Sequence, residues 1–304
     1  MTRIDADRGT ALLHCVDRIP DTSLVPEILR AQQKRLGLNG LVQAQLVLSP
    51  EFYSLLSIDR PPVLEEELRE AVRWQIQDQL EFPVEDAFID VFGMPEGLAR
   101  RDERIFVVAA PRQILKNVAK AVQEANIELN KIDVSELALR DVVWSRFPQA
   151  DESVALLTLG QSGGLIGISR GDGLYLSRRI QAAAPGLAPD KFALIKEQLL
   201  LQVQRSLDYY QGAMGQQPCK LLVVACYAEY APELLAYLAE VLPIPVRSLG
   251  EVMEGEVALQ MVSDQHHAID WSNCEAEHHD LLVDALPALG ASLIASLDPL
   301  GEVA

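Results

Sequence analysis

Residues 59–92 read DRPPVLEEELREAVRWQIQDQLEFPVEDAFIDVF, and their pattern is a helix set between two strands. Pro61 and Pro62 keep the chain extended and bar an earlier helix. Glu65, Glu66 and Glu67 crowd the first turn, where the helix dipole favours anions. Leu64, Leu68, Ala71, Val72, Ile76 and Leu80 recur at i, i+3, i+4 spacing and make one apolar stripe. Pro83 is expected to end the helix, because it has no N–H and disfavours helical geometry at Phe82. Residues 87–92 resume with the alternation of a strand. Trp74 breaks the pattern: it falls nearly opposite the stripe, among Glu67, Glu70, Arg73 and Asp78. A second packed layer of the same domain covers it, or a partner does; packing within the domain is the simpler expectation.

Outward from this stretch, the chain of 304 residues exceeds the usual size of one core, which predicts two lobes. Its formal net charge is −18, from 44 acidic and 26 basic residues. Such a surface repels phosphate backbones and disfavours adsorption to an anionic membrane, so any work at a membrane needs a protein partner there. The four cysteines, Cys15, Cys219, Cys226 and Cys274, share no CxxC spacing. Cys219 and Cys226 sit in an apolar run and are expected to be buried thiols. The first 16 residues carry Asp5, Asp7 and Arg8 and no long apolar core, unlike a secretory signal. The most apolar C-terminal segment, 281–297, contains Asp284 and Pro287 and is short for a bilayer span. A reducing, cytoplasmic setting is the default expectation.

Upstream of the quoted stretch, residues 10–16 suit a strand with none before it. Asp21, Thr22 and Ser23 offer caps for a helix over 24–36 closed by Gly37, and strands are expected at 41–48 and 52–58. Downstream come a polar loop (93–102), a buried-type strand (104–110) and a helix with Pro111 at its first position. A strand at 127–133 and a helix at 134–147 follow, and the polar turn at 148–152 marks the lobe boundary. The first lobe (1–150) is therefore β-α-β, an insertion over about 53–122, then β-α. The second lobe (151–304) opens with strands at 154–159, 165–169 and 174–180 on glycine turns, a meander. A helix (191–211), a strand (221–226), a helix (232–242), a strand (244–248), a loop rich in histidine and acids, and a last helix (280–297) complete it. Two lobes of the same alternation predict an α/β, actin-like (ribonuclease H-like duplicated) fold with an inserted α+β subdomain in the first lobe.

Several motifs in this order resemble the PilM family of type IV pilus assembly proteins, and within it the branch that serves the mannose-sensitive haemagglutinin (MSHA) pilus. They are Glu66-Glu67-Leu68 through Arg73-Trp74-Gln75, Glu81-Phe82-Pro83-Val84-Glu85, and Val107-Val108-Ala109-Ala110. Ile132-Asp133-Val134 with Leu137-Ala138-Leu139, Tyr175 to Arg179, Leu207-Asp208-Tyr209-Tyr210 and Leu286 to Ala291 extend the likeness over roughly 41–297. The resemblance implies an actin-like fold and a cytoplasmic place in a pilus assembly platform, peripheral to the inner membrane. It also implies docking onto the cytoplasmic tail of a PilN-like single-span protein, called MshJ in the MSHA system, and contact with the pilus assembly ATPase. Trp74, Phe82 and Pro83 are the candidate partner-binding residues.

Actin-type proteins hold ATP with an acidic-glycine loop in each lobe and a glycine pair near the adenosine. Backbone N–H groups of a glycine turn cradle phosphates, and a carboxylate holds Mg²⁺. Here Thr158-Leu159-Gly160 stands where the resemblance implies Asp-x-Gly, and Cys226-Tyr227 stands in place of the glycine pair. Gly160, Gly163 and Gly164 remain, but hairpin turns need them without any ligand. The site reads as degenerate: no catalytic residue, no ATP or Mg²⁺ cofactor, no hydrolysis. Two alternatives stay open: a working actin-like ATPase or sugar-kinase relative, and the cytoplasmic domain of a GspL-like type II secretion protein. His266, His267, Cys274, His278 and His279 lie close together but match no structural zinc spacing, so a surface loop without metal is expected.

Overall fold

A computed structural model gives the structure of the protein. It describes residues 2–5, 10–13, 24–35, 42–95, 104–148, 152–160, 163–180, 189–253, 260–262, 268–270 and 276–297. They group into two compact units, Met1–Val16 with Ser135–Ala304, and Asp17–Val134. The chain begins with a hairpin: β1 (Thr2–Asp5) pairs antiparallel with β2 (Thr10–Leu13), Thr2 opposite Leu13 and Asp5 opposite Thr10. The expectation that no strand precedes residue 10 is thus corrected. Four residues carry too little alternation to be legible, and the pairing with β2 supplies what local propensity does not.

The unit Asp17–Val134 holds α1 (Val25–Arg35), β3 (Val42–Leu48), β4 (Ser54–Asp59), α2 (Glu65–Ile76), β5 (Ala87–Gly93), β6 (Arg104–Pro111), α3 (Arg112–Glu124) and β7 (Ile127–Val134). Strands β4, β6 and β5 form an antiparallel sheet with β6 in the centre. Alternation puts Ile105, Val107 and Ala109 of β6 on one face with Ile58, Ala87 and Ile89, and α2 lays Leu68, Val72 and Ile76 on that face. Each leucine, valine or isoleucine among them, fully buried, contributes about 1.5–3 kcal/mol. Two details of the stripe differ from expectation. Leu64 is the extended N-cap residue, 70% exposed rather than packed. The helix also stops before Pro83: it tightens into a 3-10 turn at Gln77–Gln79, and Leu80 is extended. That lets Leu80 and Phe82 pack on the sheet's core from the non-helical segment beyond the helix, while the Arg73 guanidinium donates to the Val84 carbonyl at 2.6 Å.

In the same unit β3 and β7 pair in parallel, Val42 opposite Ile127 and Leu48 opposite Val134. Helix α3 lays Val118 and Val122 against Leu29 of α1, Ala44 and Ile127. Its C-terminus turns at Asn126, with φ of 60°, a left-handed conformation that asparagine tolerates. Arg30 of α1 donates two hydrogen bonds to the Glu124 carbonyl, at 3.2 and 2.6 Å, satisfying an end that has no helical partner.

The other unit continues with α4 (Ser135–Arg146), β8 (Val154–Gly160), β9 (Gly163–Arg170), β10 (Gly173–Ile180), α5 (Pro189–Asp208), β11 (Leu221–Cys226), α6 (Ala231–Val241), β12 (Val246–Ser248), α7 (Leu249–Met253), β13 (Gln260–Val262), β14 (Ala268–Asp270) and α8 (Ala276–Leu297). The expected meander is present: β8, β9 and β10 are antiparallel, then β11 joins β8 in parallel and β12 joins β11 in parallel. The spatial order β10-β9-β8-β11-β12 is that of a ribonuclease H-like sheet. One face packs on α4, α7 and α8 through Val154, Leu156, Leu165, Val223 and Ala225. Helices α4 and α8 cross closely at Gly290, where a Cβ would fall 1.8 Å from the Ala138 carbonyl oxygen. Helix α5 runs into a π-helical turn, Tyr209–Ala213, which buries the Tyr210 ring edge-on to Tyr175 with its hydroxyl 2.6 Å from that of Ser153. The region read as a histidine-rich loop also holds β13 and β14. They extend the N-terminal hairpin into a four-stranded sheet through a parallel pairing of β13 with β2. Three-residue strands give no periodicity to read; a partner more than 240 residues away fixes β13, and β13 in turn pairs with β14.

Candidate functional site

The first group of singled-out residues lies around the end of α2. Trp74 is 63% exposed, so no layer of its own domain covers it, and Glu67, Glu70 and Asp78 are exposed along the same helix face. Beyond the helix the chain shapes a shallow, open depression of about 370 Å³ lined by residues 77, 78 and 80–85. Its exposed lining is mostly polar, with Asp78, Glu81 and Glu85 around the partly buried Leu80 and Phe82 and the exposed Pro83. Phe82 and Pro83 therefore share one depression, while Trp74 stands one helical turn before Asp78 and outside the lining. The acidic rim was not singled out in the sequence; its only signal there is the spacing of Asp78, Glu81 and Glu85.

The second group converges at the carboxyl ends of two parallel strands. Thr158 is buried in β8, and its hydroxyl donates to the Leu165 carbonyl at 3.4 Å. Gly160 closes β8 and pairs with Gly163 at the start of β9, whose φ of 97° requires glycine. Gly164 pairs with Leu159 and with Ile180. Cys226 ends β11 beside Leu159; burial, with a smaller contribution from Asp280, pushes its thiol up to about 12. Tyr227 is the next residue, and its hydroxyl donates to both carboxylate oxygens of Asp284, each at 2.9 Å. Asp284 in turn lies against Gly160, where a Cβ would fall 2.8 Å from its Oδ1. Asp280, one turn earlier on α8, accepts the Ala228 N–H at 2.8 Å. The six sequence-predicted residues thus sit together, but two α8 carboxylates that the sequence reading passed over stand among them. Their i, i+4 spacing was the available signal.

Among the described residues no group of histidine, cysteine and acidic side chains is placed to hold a metal ion. His266, His267 and Cys274 lie outside the described residues, as do the side chains of His278 and His279. Also among the described residues, no helix is long and apolar enough to cross a membrane.

No protein-family model matches the chain, and no curated protein does. Solved structures do match. One is described as a PilM-PilN type IV pilus biogenesis complex, with a TM-score of 0.67 at 17% identity over 91% of this chain and 86% of that one. The fold is actin-like. Looser matches include the cytoplasmic domain of EpsL, an inner-membrane component of the type II secretion system of Vibrio cholerae, with a TM-score of 0.44 at 14% identity over 88% of this chain and 79% of that one. A Bacteroides thetaiotaomicron protein with an actin-like ATPase fold has a TM-score of 0.44 at 9% identity, covering 78% and 81%.

Proposed function

We propose that this protein is a non-catalytic cytoplasmic adaptor of a type IV pilus assembly platform, the counterpart of MshI in the MSHA pilus. In this reading the actin-like fold serves as a scaffold. The subdomain inserted over about 53–122 receives the cytoplasmic tail of a PilN/MshJ-like single-span protein, which keeps the adaptor at the inner membrane. The pilus assembly ATPase is the second expected contact. The observation that carries the reading is a fold shared with the PilM-PilN complex together with an uncovered tryptophan on the helix that leads into an open, acidic depression. Aromatic side chains are typical interface anchors, and an acidic rim suits the basic residues that flank a membrane span on the cytoplasmic side.

The adaptor is expected to work without ATP. Thr158 offers a hydroxyl where a carboxylate would hold Mg²⁺, and Tyr227 fills space that a glycine pair would leave open. Co-purification with the cytoplasmic tails of candidate single-span proteins tests the partner, and failure of every such tail sinks that part of the reading. Calorimetry with millimolar Mg-ATP tests the rest. No saturable heat is expected, and a dissociation constant below about 10 μM would restore the actin-like ATPase alternative.

A further inference from the structure

In open α/β sheets, ligands bind in the crevice beyond the carboxyl ends of neighbouring parallel strands. In this unit those strands are β8 and β11, paired in register from Leu221 with Val154 to Cys226 with Leu159. The protein's own side chains stand in that position. The Asp284 carboxylate accepts the Tyr227 hydroxyl on both oxygens at 2.9 Å and lies so close to Gly160 that a side chain there would have to displace it. Asp280 holds the Ala228 N–H at 2.8 Å. One helix therefore tethers the residues just past β11 and covers the end of β8.

We propose that Asp284 is a built-in ligand: its carboxylate closes the crevice at the carboxyl ends of β8 and β11, with Tyr227 as its clamp, and holds this unit closed with no bound small molecule. The proposal deepens the non-catalytic reading and rests on it. Three physical points support it. A phenol donating to a carboxylate makes a charge-assisted bond, roughly twice as strong as a neutral one. The carboxylate is presented by a rigid element, since its neighbours Leu282, Val283, Ala285 and Leu286 are all buried. An incoming anion would also meet a negative charge already in place.

Two cysteines report on the clamp from opposite ends of one strand. Cys226 is the last residue of β11, and Cys219 lies two residues before its start. Both are buried, and burial pushes both thiols up to about 12, so both react slowly while the unit is closed. The full chain is treated with iodoacetamide at pH 8, and labelling is followed at each cysteine by peptide mass spectrometry. Three variants attack the clamp by separate routes: Tyr227→Phe removes the donor, Asp284→Ala removes the carboxylate, and Gly160→Ala pushes the carboxylate away. Each is expected to raise the labelling rate of Cys226 by about tenfold through local opening, with Cys219 unchanged. Unchanged Cys226 labelling overturns the proposal. So does a parallel rise at Cys219, which would mean general loosening. Should Asp284→Ala fail to fold, the other two variants decide. Partner capture is not read in this experiment, so the clamp and the adaptor reading fail separately.

Discussion

Trp74 and Val72 sit two positions apart on α2 and face opposite ways: Val72 is fully buried against the sheet, Trp74 is 63% exposed. Val72→Ala should cost about 2 kcal/mol of stability, as core truncations do, and lower the melting temperature by several degrees. Trp74→Ala should leave the melting temperature nearly unchanged yet weaken tail binding by about 2 kcal/mol, roughly thirtyfold, if the indole is an anchor. Thermal melts and peptide titrations on the two variants separate these roles; a sharp loss of stability with unchanged affinity in Trp74→Ala would move the docking groove elsewhere. A second residue-scale effect concerns the thiols. Burial raises Cys219 and Cys226 from 9.0 to about 12, and it raises Tyr210 as well. The folded state holds these protons more tightly than the unfolded chain. The contribution of the two thiols is therefore full below pH 9 and is lost as pH climbs toward 12, by about 1.4 kcal/mol per pH unit for each thiol. Urea midpoints should be flat to about pH 9 and then fall, and Cys226→Ala should flatten that fall.

Among elements, the pair α4 and α8 is the most sensitive. Their approach at Gly290 leaves no space for a methyl group, because the neighbour is backbone rather than the end of a flexible side chain. Gly290→Ala should cost about 3 kcal/mol or more and force the helices apart, which a melting curve reads directly; a stability change within experimental error would show that they slide freely. Helix α2 shows what a local pattern can and cannot carry. Its stripe of Leu68, Val72 and Ile76 was legible, because one side of a helix must meet a core every third or fourth residue. Its end was not. Pro83 is a helix stop by geometry, yet the helix closes at Ile76, and Leu80 and Phe82 reach the sheet from the non-helical segment beyond it. The short strands β1, β13 and β14 were illegible for a different reason. Three or four residues have no measurable period, and each is defined by a partner strand.

For the whole molecule the net charge of −18 sets the character of any encounter. Basic tails approach faster than neutral ones, and salt screens that steering within about 8 Å at physiological ionic strength. Binding of a tail carrying lysine and arginine should therefore weaken several-fold between 50 and 500 mM salt and still persist, because Trp74 and Pro83 offer apolar contacts that salt does not screen. Complete loss at 500 mM would point to a purely electrostatic surface, and salt-independent affinity to a purely apolar one. Titrating one tail peptide at three salt concentrations decides between them.

The sequence by itself determined the strand-turn-strand-turn-strand meander, the helices that follow it and the actin-like class. Glycine turns, apolar runs and capping residues act within a few positions of one another, and local chemistry is written in local order. The resemblance it carries also grouped Thr158, Gly160, Gly163, Gly164, Cys226 and Tyr227 as one degenerate loop set, and these residues do lie together at one end of the sheet. Only the tertiary structure decided what stands among them. Asp284 lies 57 residues from Tyr227 in the chain, and an acidic residue inside an apolar helix carries no mark of which partner it will meet. The same holds for Trp74: the pattern placed it opposite the buried stripe, but whether a second layer covers that face depends on where distant segments pack, and in the folded unit none does.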